Sequence, residues 1–299
     1  MRIGVDLGGT KIEAVGLGDG GEVLARHRVA TPRDDYDATV AAVAGLVAHI
    51  ENEAGRTGSV GVGIPGAEQR ATGLIKNANS VWLIGKPLRQ DLTDALGRPV
   101  RLANDANCFA LSEAVDGAGA GCAVVFGVIL GTGVGGGIVI DGRLLEGRNA
   151  IAGEWGHNPL PWPNDGERPG PACYCGRHGC VETFLSGPGL ARDDAAHRGE
   201  RLDPDEIARR AAAGEDLATA ALGRYEARLA RALAGVINIV DPDVIVLGGG
   251  LSNLASLYDN VPRLWHRFVF SDRVDTRLER ASHGDASGVR GAAWLWPMS

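Results

Sequence analysis

Two short stretches of this chain have the composition of phosphate-binding turns. Asp6-Leu-Gly-Gly-Thr-Lys11 and Gly131-Thr-Gly-Val-Gly-Gly-Gly137 each follow or end an apolar run. Glycine allows the backbone to approach a ligand closely, and consecutive backbone N–H groups in such turns bind anions. Two such turns facing each other would surround one anion, and a nucleotide polyphosphate is the natural guest. A third glycine cluster, Gly248-Gly-Gly250, ends another apolar run.

Both turns lie in a hairpin pattern that the chain contains twice. Residues 3–24 and 127–145 each consist of an apolar run, a Gly/Thr turn, a second run, an Asp-Gly turn and a third run. Asp-Gly between apolar runs is a strong hairpin signal. Residues 131–136 also match G-x-G-x-x-G, but that motif binds a dinucleotide only where it opens a helix. A strand pattern follows here, so we reject a Rossmann site, and the sequence has no P-loop motif.

Several acidic residues could act on a bound phosphate or on its acceptor. Asp6 lies in an apolar strand pattern, where it is either a hydrogen-bonded structural residue or a carboxylate near phosphate-bound Mg²⁺; the glycine-rich surroundings favour the second interpretation. Lys11 could contact phosphate or be solvated. Asn104 and Asp105 could cap a helix, or Asp105 could accept a proton from an attacking hydroxyl group. Glu182 is either a solvated acid or a ligand contact.

A cluster of cysteines predicts a metal site. Cys173, Cys175 and Cys180 would supply three thiolates, and structural Zn²⁺ sites take four Cys or His ligands. His157 and His178 both qualify by position as the fourth ligand. Such a cluster in a reducing compartment is more typical of metal binding than of disulfides.

The rest of the sequence predicts the elements that would position these residues. Strand patterns alternate with helical spacing, which predicts an α/β fold. Residues 117–121 are predicted to form a domain boundary, and residues 147–188 a long irregular stretch. The predicted helices are 36–54, 91–96, 104–115, 204–213, 217–239 and 287–296, and the predicted strands include 60–64, 100–102, 123–130 and 244–247.

Composition narrows the class of protein. The chain has 299 residues, 44% of them apolar, and a net charge of −7. The acidic balance disfavours nucleic acid or an anionic membrane as a partner, because both reward clustered Lys and Arg. No apolar run approaches the ~18 residues of a membrane-spanning helix. The N-terminal residues lack the layout of a signal peptide, and we expect a soluble cytoplasmic protein.

Together these residues resemble the ROK family of sugar kinases, which share the actin-like ATPase fold of hexokinases. The resemblance covers essentially the whole chain. The chain is most similar to bacterial fructokinase (manno(fructo)kinase), through residues 76–82, 154–162 and 283–294. It also resembles bacterial N-acetylglucosamine kinase at residues 104–114 and 130–137. The motifs are Asp6-Leu-Gly-Gly-Thr-Lys11, Asn104-Asp-Ala-Asn107, Gly131-Thr-Gly133, Glu154-Trp-Gly-His157, Cys173-Tyr-Cys-Gly-Arg-His-Gly-Cys180 and Asp241-Pro-Asp-Val-Ile-Val-Leu-Gly-Gly-Gly250.

The resemblance implies a duplicated, hexokinase-like α/β fold with two domains around a cleft. The smaller domain would comprise residues 1–117 with a C-terminal helix at about 287–299, and the larger domain residues 118–286 with the zinc motif. The implied ligands are ATP, Mg²⁺, Zn²⁺ and a sugar, without nucleic acid or a membrane as a partner. Members are commonly dimers, so a homodimer is expected.

Site roles also follow from the resemblance. Asp105 would be the general base, and His157 rather than His178 would join Cys173, Cys175 and Cys180 as a zinc ligand. The sugar would contact Gly66, Asn104, Asp105, Glu154, His157 and Glu182. The nucleotide would contact Gly4, Val5, Asp6, Leu7, Gly8, Gly9, Thr10, Lys11, Gly131, Thr132, Gly133, Val134, Gly135, Gly136, Gly137, Gly249 and Gly250.

The implied reaction is ATP-dependent phosphorylation of a hexose hydroxyl group, with fructose or mannose preferred. The alternatives are an N-acetylglucosamine kinase or a glucokinase of the same family. A sugar-responsive transcriptional regulator is a further alternative, which the net negative charge disfavours.

Overall fold

The computed structural model describes residues 1–297 and contains two five-stranded sheets flanked by helices. Its strands are β1 (Arg2–Leu7), β2 (Lys11–Leu17), β3 (Val23–Ala30), β4 (Ser59–Ile64), β5 (Ala67–Glu68), β6 (Ile75–Lys76), β7 (Val100–Asn104), β8 (Val124–Leu130), β9 (Val134–Ile140), β10 (Arg143–Leu144), β11 (Val244–Gly248) and β12 (Arg277–Arg280). Its α-helices are α1 (Tyr36–Ala54), α2 (Leu88–Leu96), α3 (Asp105–Asp116), α4 (Val181–Leu185), α5 (Gly187–Arg198), α6 (Pro204–Ala212), α7 (Asp216–Val240), α8 (Ser256–Trp265) and α9 (Ser287–Trp294).

The two sheets repeat one strand arrangement. Their orders are β3-β2-β1-β4-β7 and β10-β9-β8-β11-β12. In the first sheet β1, β2 and β3 are antiparallel neighbours, and β1, β4 and β7 run parallel. In the second sheet β8, β11 and β12 run parallel, and β9 pairs with β10 in antiparallel fashion. The predicted duplication of the hairpin is therefore confirmed.

Contacts between Cα atoms divide the chain into two compact units. Unit 1 comprises Met1–Gly121, Gly137–Ala152 and the described residues from Ser282 onward, and unit 2 comprises Cys122–Gly136 and Gly153–Ala281. Compactness does not test where independently folding domains begin and end. The predicted division into residues 1–117 with 287–299 and residues 118–286 stays a prediction.

Helix α1 shows how local sequence shapes unit 1. Asp35 caps the helix, because its side chain accepts a hydrogen bond from the Ala38 N–H group, and Gly55 ends it in the left-handed conformation. Val43, Val47 and Ile50 recur at helical spacing and are buried. The helix thereby covers strands β2 and β3, and its bounds match the predicted helix 36–54.

A buried carboxylate holds the C-terminal segment of unit 1 in place. Glu113 of α3 is fully buried and accepts hydrogen bonds from the Ser282 N–H group at 2.9 Å and the Ser287 hydroxyl group at 2.8 Å. Helix α9 then packs against α3, β1 and β4. Burial of a carboxylate is tolerated when hydrogen bonds satisfy its oxygens.

In unit 2 the long helix α7 anchors the segment that was predicted to be irregular. Arg228 and Arg231 of α7 bond both oxygens of buried Glu167. That segment is more ordered than predicted, since it contains α4 and the start of α5. Ser186 caps α5 and Pro188 lies in its first turn, both of which are helix-start signals that the sequence carries.

Most other predicted elements are confirmed with small shifts of their ends. Helix α2 begins at Leu88 rather than at residue 91, and α9 ends at Trp294 rather than at residue 296. Strand β12 was not predicted. Among residues 1–297, no helix is both long enough and apolar enough to cross a membrane.

Candidate active site

Two aspartates from distant parts of the chain come together in unit 1. Asp6 lies opposite Gly63 of β4 in the sheet, and Ile64 of β4 lies opposite Asn104 of β7. Because β1, β4 and β7 are parallel neighbours, their carboxyl ends share one sheet edge, where ligands commonly bind in α/β proteins. Burial, followed by the charges of Asp105 and Glu13, raises the pKa of Asp6 to about 6. The Asp6 carboxyl group thus shares a crowded acidic site with Asp105.

Asp105 is the first residue of helix α3, and one of its oxygens is already engaged. Its Oδ1 accepts a hydrogen bond from the Ala106 N–H group at 2.8 Å. The residue is exposed at the surface, while protein packed around the rest of its carboxyl group desolvates it. Burial raises its pKa, against the lowering effect of hydrogen bonds from Ala106 and Asn104. A carboxylate with a raised pKa is suited to general base catalysis.

Asn104 connects this carboxylate to a predicted sugar-binding residue. Its side-chain oxygen caps α3 by accepting from the Ala106 N–H group at 2.9 Å, and its Nδ2 donates to the Gly66 carbonyl oxygen at 3.2 Å. Gly66, Asn104 and Asp105, predicted to contact the sugar, therefore lie side by side in unit 1.

Asn107 was not among the predicted site residues. It lies three residues after Asn104, so both side chains fall on the same face of α3. Its buried Oδ1 has no hydrogen-bond partner within residues 1–297. A buried amide oxygen left unpaired is costly and is satisfied by a water molecule or a ligand. The i, i+3 spacing of the two asparagines was the signal in the sequence.

The first Gly/Thr turn joins β1 to β2 in unit 1. The Gly8 N–H group donates to the Lys11 carbonyl oxygen at 3.0 Å and closes the turn. The Thr31 hydroxyl group donates to the Gly8 carbonyl oxygen at 2.7 Å. Lys11 Nζ lies 3.8 Å from Glu13 Oε2, so in this structure the lysine contacts a carboxylate of its own strand.

The second Gly/Thr turn lines a cavity of about 400 Å³ in unit 2. Several lining residues were predicted for the nucleotide, namely Gly131, Thr132 and Gly250. Ligand sites commonly fall in the range of ~300–1,000 Å³. The other lining residues were not predicted. They come from α5, the segment between α5 and α6, the start of α6 and the loop after β11, and are Gly187, Pro188, Ala191, Arg201, Asp203, Pro204, Asp205 and Leu251.

Glu182 of α4 is hydrogen-bonded to the backbone at the end of this turn. Its Oε2 accepts a hydrogen bond from the Val134 N–H group at 2.9 Å. A Cβ atom on Gly133 would lie 2.7 Å from the same oxygen, so a larger residue there would displace the carboxylate. Glu182 therefore connects α4 to the Gly/Thr turn through its Oε2 atom.

Gly249 occupies a position that only glycine can fill without strain. Its φ is +81°, and a Cβ atom would lie 2.5 Å from the Leu130 carbonyl oxygen. The residue follows β11, and Leu130 ends the neighbouring β8. Glycine here lets the loop after β11 approach the end of β8 directly.

Four predicted zinc ligands converge in unit 2. His157 Nδ1 lies 3.5 Å from Cys173 Sγ, and Cys175 Sγ lies 3.6 Å from Cys180 Sγ. All four ligand atoms lie within 4.8 Å of one another. Zn–S bonds of about 2.3 Å place the corners of a tetrahedron about 3.8 Å apart, so the observed spacing fits the ion. All three cysteines are free thiols.

The histidine in this group is His157, whereas His178 forms an isolated β-bridge with Ala172. The other ring nitrogen of His157, Nε2, lies 2.8 Å from the Tyr174 hydroxyl oxygen. Burial, followed by the charges of Glu182, Cys173 and Glu154, raises the pKa of Tyr174 to about 12. The predicted sugar contacts Glu154, His157 and Glu182 are thus neighbours of the cysteine cluster in unit 2.

Trp155 ties this segment to the second Gly/Thr turn. It is buried, and its indole N–H group donates to the Gly135 carbonyl oxygen at 3.0 Å. A Cβ atom on Gly136 would lie 2.8 Å from the indole ring. The absence of a side chain at Gly136 therefore leaves room for the Trp155 ring next to Glu154 and His157.

The predicted nucleotide contacts divide between the units. Residues 4–11 and Gly137 belong to unit 1, whereas residues 131–136, Gly249 and Gly250 belong to unit 2. The predicted sugar contacts divide in the same way, with three in each unit.

The profile of the ROK family matches residues 2–299. The chain is 44% identical over 299 residues to the N-acetyl-D-glucosamine kinase of Photobacterium profundum, an alignment that covers 99% of both chains. Other relatives at 45% identity, from strains of Escherichia coli, carry the same name. These relatives favour the alternative prediction of an N-acetylglucosamine kinase over the predicted preference for fructose or mannose and the predicted likeness to fructokinase.

Solved structures show the same fold. The ROK hexokinase from Thermus thermophilus is 34% identical with a TM-score of 0.87, over 98% of this chain and 96% of that one. A ROK family glucokinase from Streptomyces griseus, solved with glucose and AMPPNP, is 29% identical with a TM-score of 0.79, over 100% and 99% of the two chains. The predicted actin-like ATPase fold is therefore confirmed.

Proposed function

The chain belongs to the ROK family of sugar kinases, and we propose that it phosphorylates N-acetylglucosamine with ATP as the donor. The observation that carries the choice of sugar is the 44% identity to an N-acetyl-D-glucosamine kinase over 99% of both chains. This substrate replaces fructose or mannose as the preferred one. Glucose is the second candidate, because the Streptomyces griseus glucokinase was solved with glucose and AMPPNP.

The cavity in unit 2 supports a nucleotide donor. Gly131 and Thr132 line one part of its wall, and the start of α5 lines another. Backbone N–H groups at a glycine-rich turn and at the beginning of a twelve-residue helix both favour phosphate oxygens. Gly249, which closes against Leu130, brings the loop after β11 to the same cavity through its neighbour Gly250.

Asp105 is the proposed general base. Oδ1 accepts a hydrogen bond from the Ala106 N–H group, and Oδ2 would accept the proton of a sugar hydroxyl group. The raised pKa makes the carboxylate a stronger base than an aspartate whose carboxyl group is fully solvated. Transfer of that proton to Asp105 increases the negative charge on the attacking oxygen as its bond to phosphorus forms.

Asp6 fits a role next to a magnesium ion. Its carboxyl group is partly buried beside Asp105 and Glu13, and this acidic crowding raises its pKa to about 6. A divalent cation nearby would relieve the repulsion between these carboxylates. Asp6 would hold Mg²⁺, usually through water, and the ion would neutralise charge on the polyphosphate.

The proposed sugar-binding residues form one group in unit 1 and another in unit 2, and different contacts hold each group. Asn104 and Gly66 are held rigidly by their mutual hydrogen bond, and Asn107 offers an unpaired amide oxygen on the same helix face. His157 contacts Cys173, Glu182 accepts a hydrogen bond from the Val134 N–H group, and Glu154 lies three residues before His157 in the chain. The cysteine cluster fits Zn²⁺, with His157 Nδ1 as one ligand. Nε2 would then carry the ring proton and donate it to a hydroxyl group, either that of Tyr174, 2.8 Å away in this structure, or that of a sugar.

A coupled ADP-release assay tests the proposal. N-acetylglucosamine, glucose, fructose and mannose are compared with saturating ATP and Mg²⁺. We expect kcat/KM for N-acetylglucosamine to exceed that for each other sugar at least tenfold. Equal or faster turnover of fructose or mannose would restore the first predicted preference, and turnover of none of the four would reject the proposed substrate class. Light scattering on the same preparation tests the expected homodimer.

A further inference from the structure

A second cluster of metal-ligating side chains lies in unit 1, outside the site described above. It consists of His27 on strand β3 and of His49 and Glu53 on helix α1. Each offers one ligand atom, and these atoms all lie within 4.8 Å of one another. Nε2 of His27 is 3.7 Å from Glu53 Oε2, and Nε2 of His49 is 3.8 Å from the same oxygen. We name this group the His27 cluster.

Local geometry explains why these three residues meet. His49 and Glu53 are separated by four residues, so they lie one turn apart on the same face of α1. Helix α1 packs on β2 and β3, and His27 faces the helix from the outermost strand of the sheet. The two imidazole rings meet edge to face, with centroids 3.7 Å apart.

The neighbouring cations do not compete for this carboxylate. Arg26 and Arg28 flank His27 in sequence, and their side chains bond Glu13 on β2. Successive side chains of a strand point to opposite faces, which places both guanidinium groups on the face opposite His27. Within the part of the chain that the structure describes, the salt bridges of Glu53 are those with His27 and His49.

We propose that the His27 cluster binds a divalent transition metal ion such as Zn²⁺. Imidazole nitrogen suits Zn²⁺, Ni²⁺ and Cu²⁺, whereas Mg²⁺ and Ca²⁺ prefer oxygen ligands. Bonds of about 2.0–2.1 Å place the corners of a tetrahedron about 3.4 Å apart. The two distances to Glu53 exceed that spacing by less than half an ångström. All three side chains are about half exposed, at 43%, 53% and 48%, so small rotations suffice to close the site.

The ligand set leaves one position for solvent. Two imidazoles and one carboxylate make three protein ligands, and a water molecule would complete a tetrahedron. A metal ion here would bridge α1 and the edge strand β3. Because the unfolded chain does not hold the three ligands together, the ion would stabilise the folded state of unit 1. Zinc at 100 times its Kd lowers the unfolding constant about 100-fold.

Zinc titration of the whole, chelator-treated protein at pH 7.5 tests the site. We expect the wild type to bind one more equivalent of Zn²⁺ than H27A or H49A binds. E53Q keeps the shape of the glutamate and removes its charge, and it should weaken this equivalent at least tenfold. H266A is the matched control, because His266 is exposed and lies outside both clusters; it should bind as many equivalents as the wild type.

Cobalt distinguishes the two metal sites in one sample. Co²⁺ bound by thiolates shows charge-transfer absorption, whereas Co²⁺ on imidazole and carboxylate lacks it. H27A should therefore lose the second cobalt equivalent and keep the thiolate band. Equal metal stoichiometry in the wild type, H27A and H49A would overturn the proposal and leave the contacts of Glu53 with the two histidines as purely structural ones.

Discussion

Replacing Asp105 with asparagine separates its catalytic role from its structural one. Asparagine has the same shape, and its Oδ1 can still accept the hydrogen bond from the Ala106 N–H group that spans 2.8 Å in the wild type. The variant loses only the ability to accept a proton at neutral pH. General base catalysis is typically worth ~10²–10⁴ in rate, so we expect kcat to fall at least ~100-fold. That loss corresponds to about 3 kcal/mol or more in activation free energy.

The same substitution should leave the fold almost unchanged. Loss of a negative charge at the start of α3 costs about 0.3–1 kcal/mol in favourable interaction with the helix dipole. Removing Asp105 also removes one of the charges that raise the pKa of Asp6, which relieves repulsion. These effects oppose each other, so the melting temperature should shift by only a few degrees. The KM for the sugar should change little, because asparagine can still hydrogen-bond a hydroxyl group.

D216N is the matched control. Asp216 is likewise the first residue of its helix, α7, and it lies outside the candidate site. A coupled ADP-release assay with N-acetylglucosamine should show normal kcat for D216N. In the wild type, kcat should fall as the pH drops through the raised pKa of Asp105, because protonation removes the base. A kcat of D105N within tenfold of the wild type, or an equal loss in D216N, would refute the role of Asp105.

Three further predictions test the supports of the site. Gly249→Ala should lower the free energy of unfolding, measured by urea denaturation, by about 1–3 kcal/mol from its positive φ alone. Gly250→Ala is the control: its added Cβ atom would have no neighbour within 4 Å, so its free energy of unfolding should stay within about 0.5 kcal/mol of the wild type. Glu167→Gln should destabilise the protein by about 3 kcal/mol at pH 7, since it removes the carboxylate that pairs with buried Arg231 and leaves Arg228 with its ion pair to Asp193 alone. Burial acts to raise the pKa of Glu167, but Arg231 and Arg228 lower it from an ordinary 4.5 to about 2. The stabilisation by these ion pairs is therefore present above pH 4.5 and is lost as the pH falls from 4.5 towards 2. A difference in the free energy of unfolding between variant and wild type that is as large at pH 3 as at pH 7 would contradict this prediction. Cys175→Ser should lose the thiolate-bound metal measured by elemental analysis and lower the affinity for the sugar in calorimetry, while Cys122→Ser, outside the cluster, should change neither.

Much of the fold was predictable because its signals are local. Helix α1 was predicted with its observed bounds, since the helical spacing of Val43, Val47 and Ile50 is a property of adjacent turns. The duplicated hairpin was predicted for the same reason. Helix α5 was missed although Ser186 and Pro188 mark its start, because the glycines around them also fit an irregular stretch.

The sequence alone determined which residues could do chemistry. The cysteine cluster is local, with Cys173, Cys175 and Cys180 within eight residues, so their proximity follows from chain connectivity. The Gly/Thr turns are likewise determined by residue type. The resemblance then indicated the family and left the sugar open between fructose, mannose, glucose and N-acetylglucosamine.

Only the tertiary structure decided which distant residues meet. Asp6 and Asp105 share one site because β1 and β7 flank β4 in parallel, a strand order that no local pattern specifies. The bond from the Val134 N–H group to Glu182 and the meeting of His27 with Glu53 also depend on how helices pack on sheets. The physical reason is that side-chain periodicity determines which face of an element is buried, whereas the partner of that face is determined by packing of the whole chain.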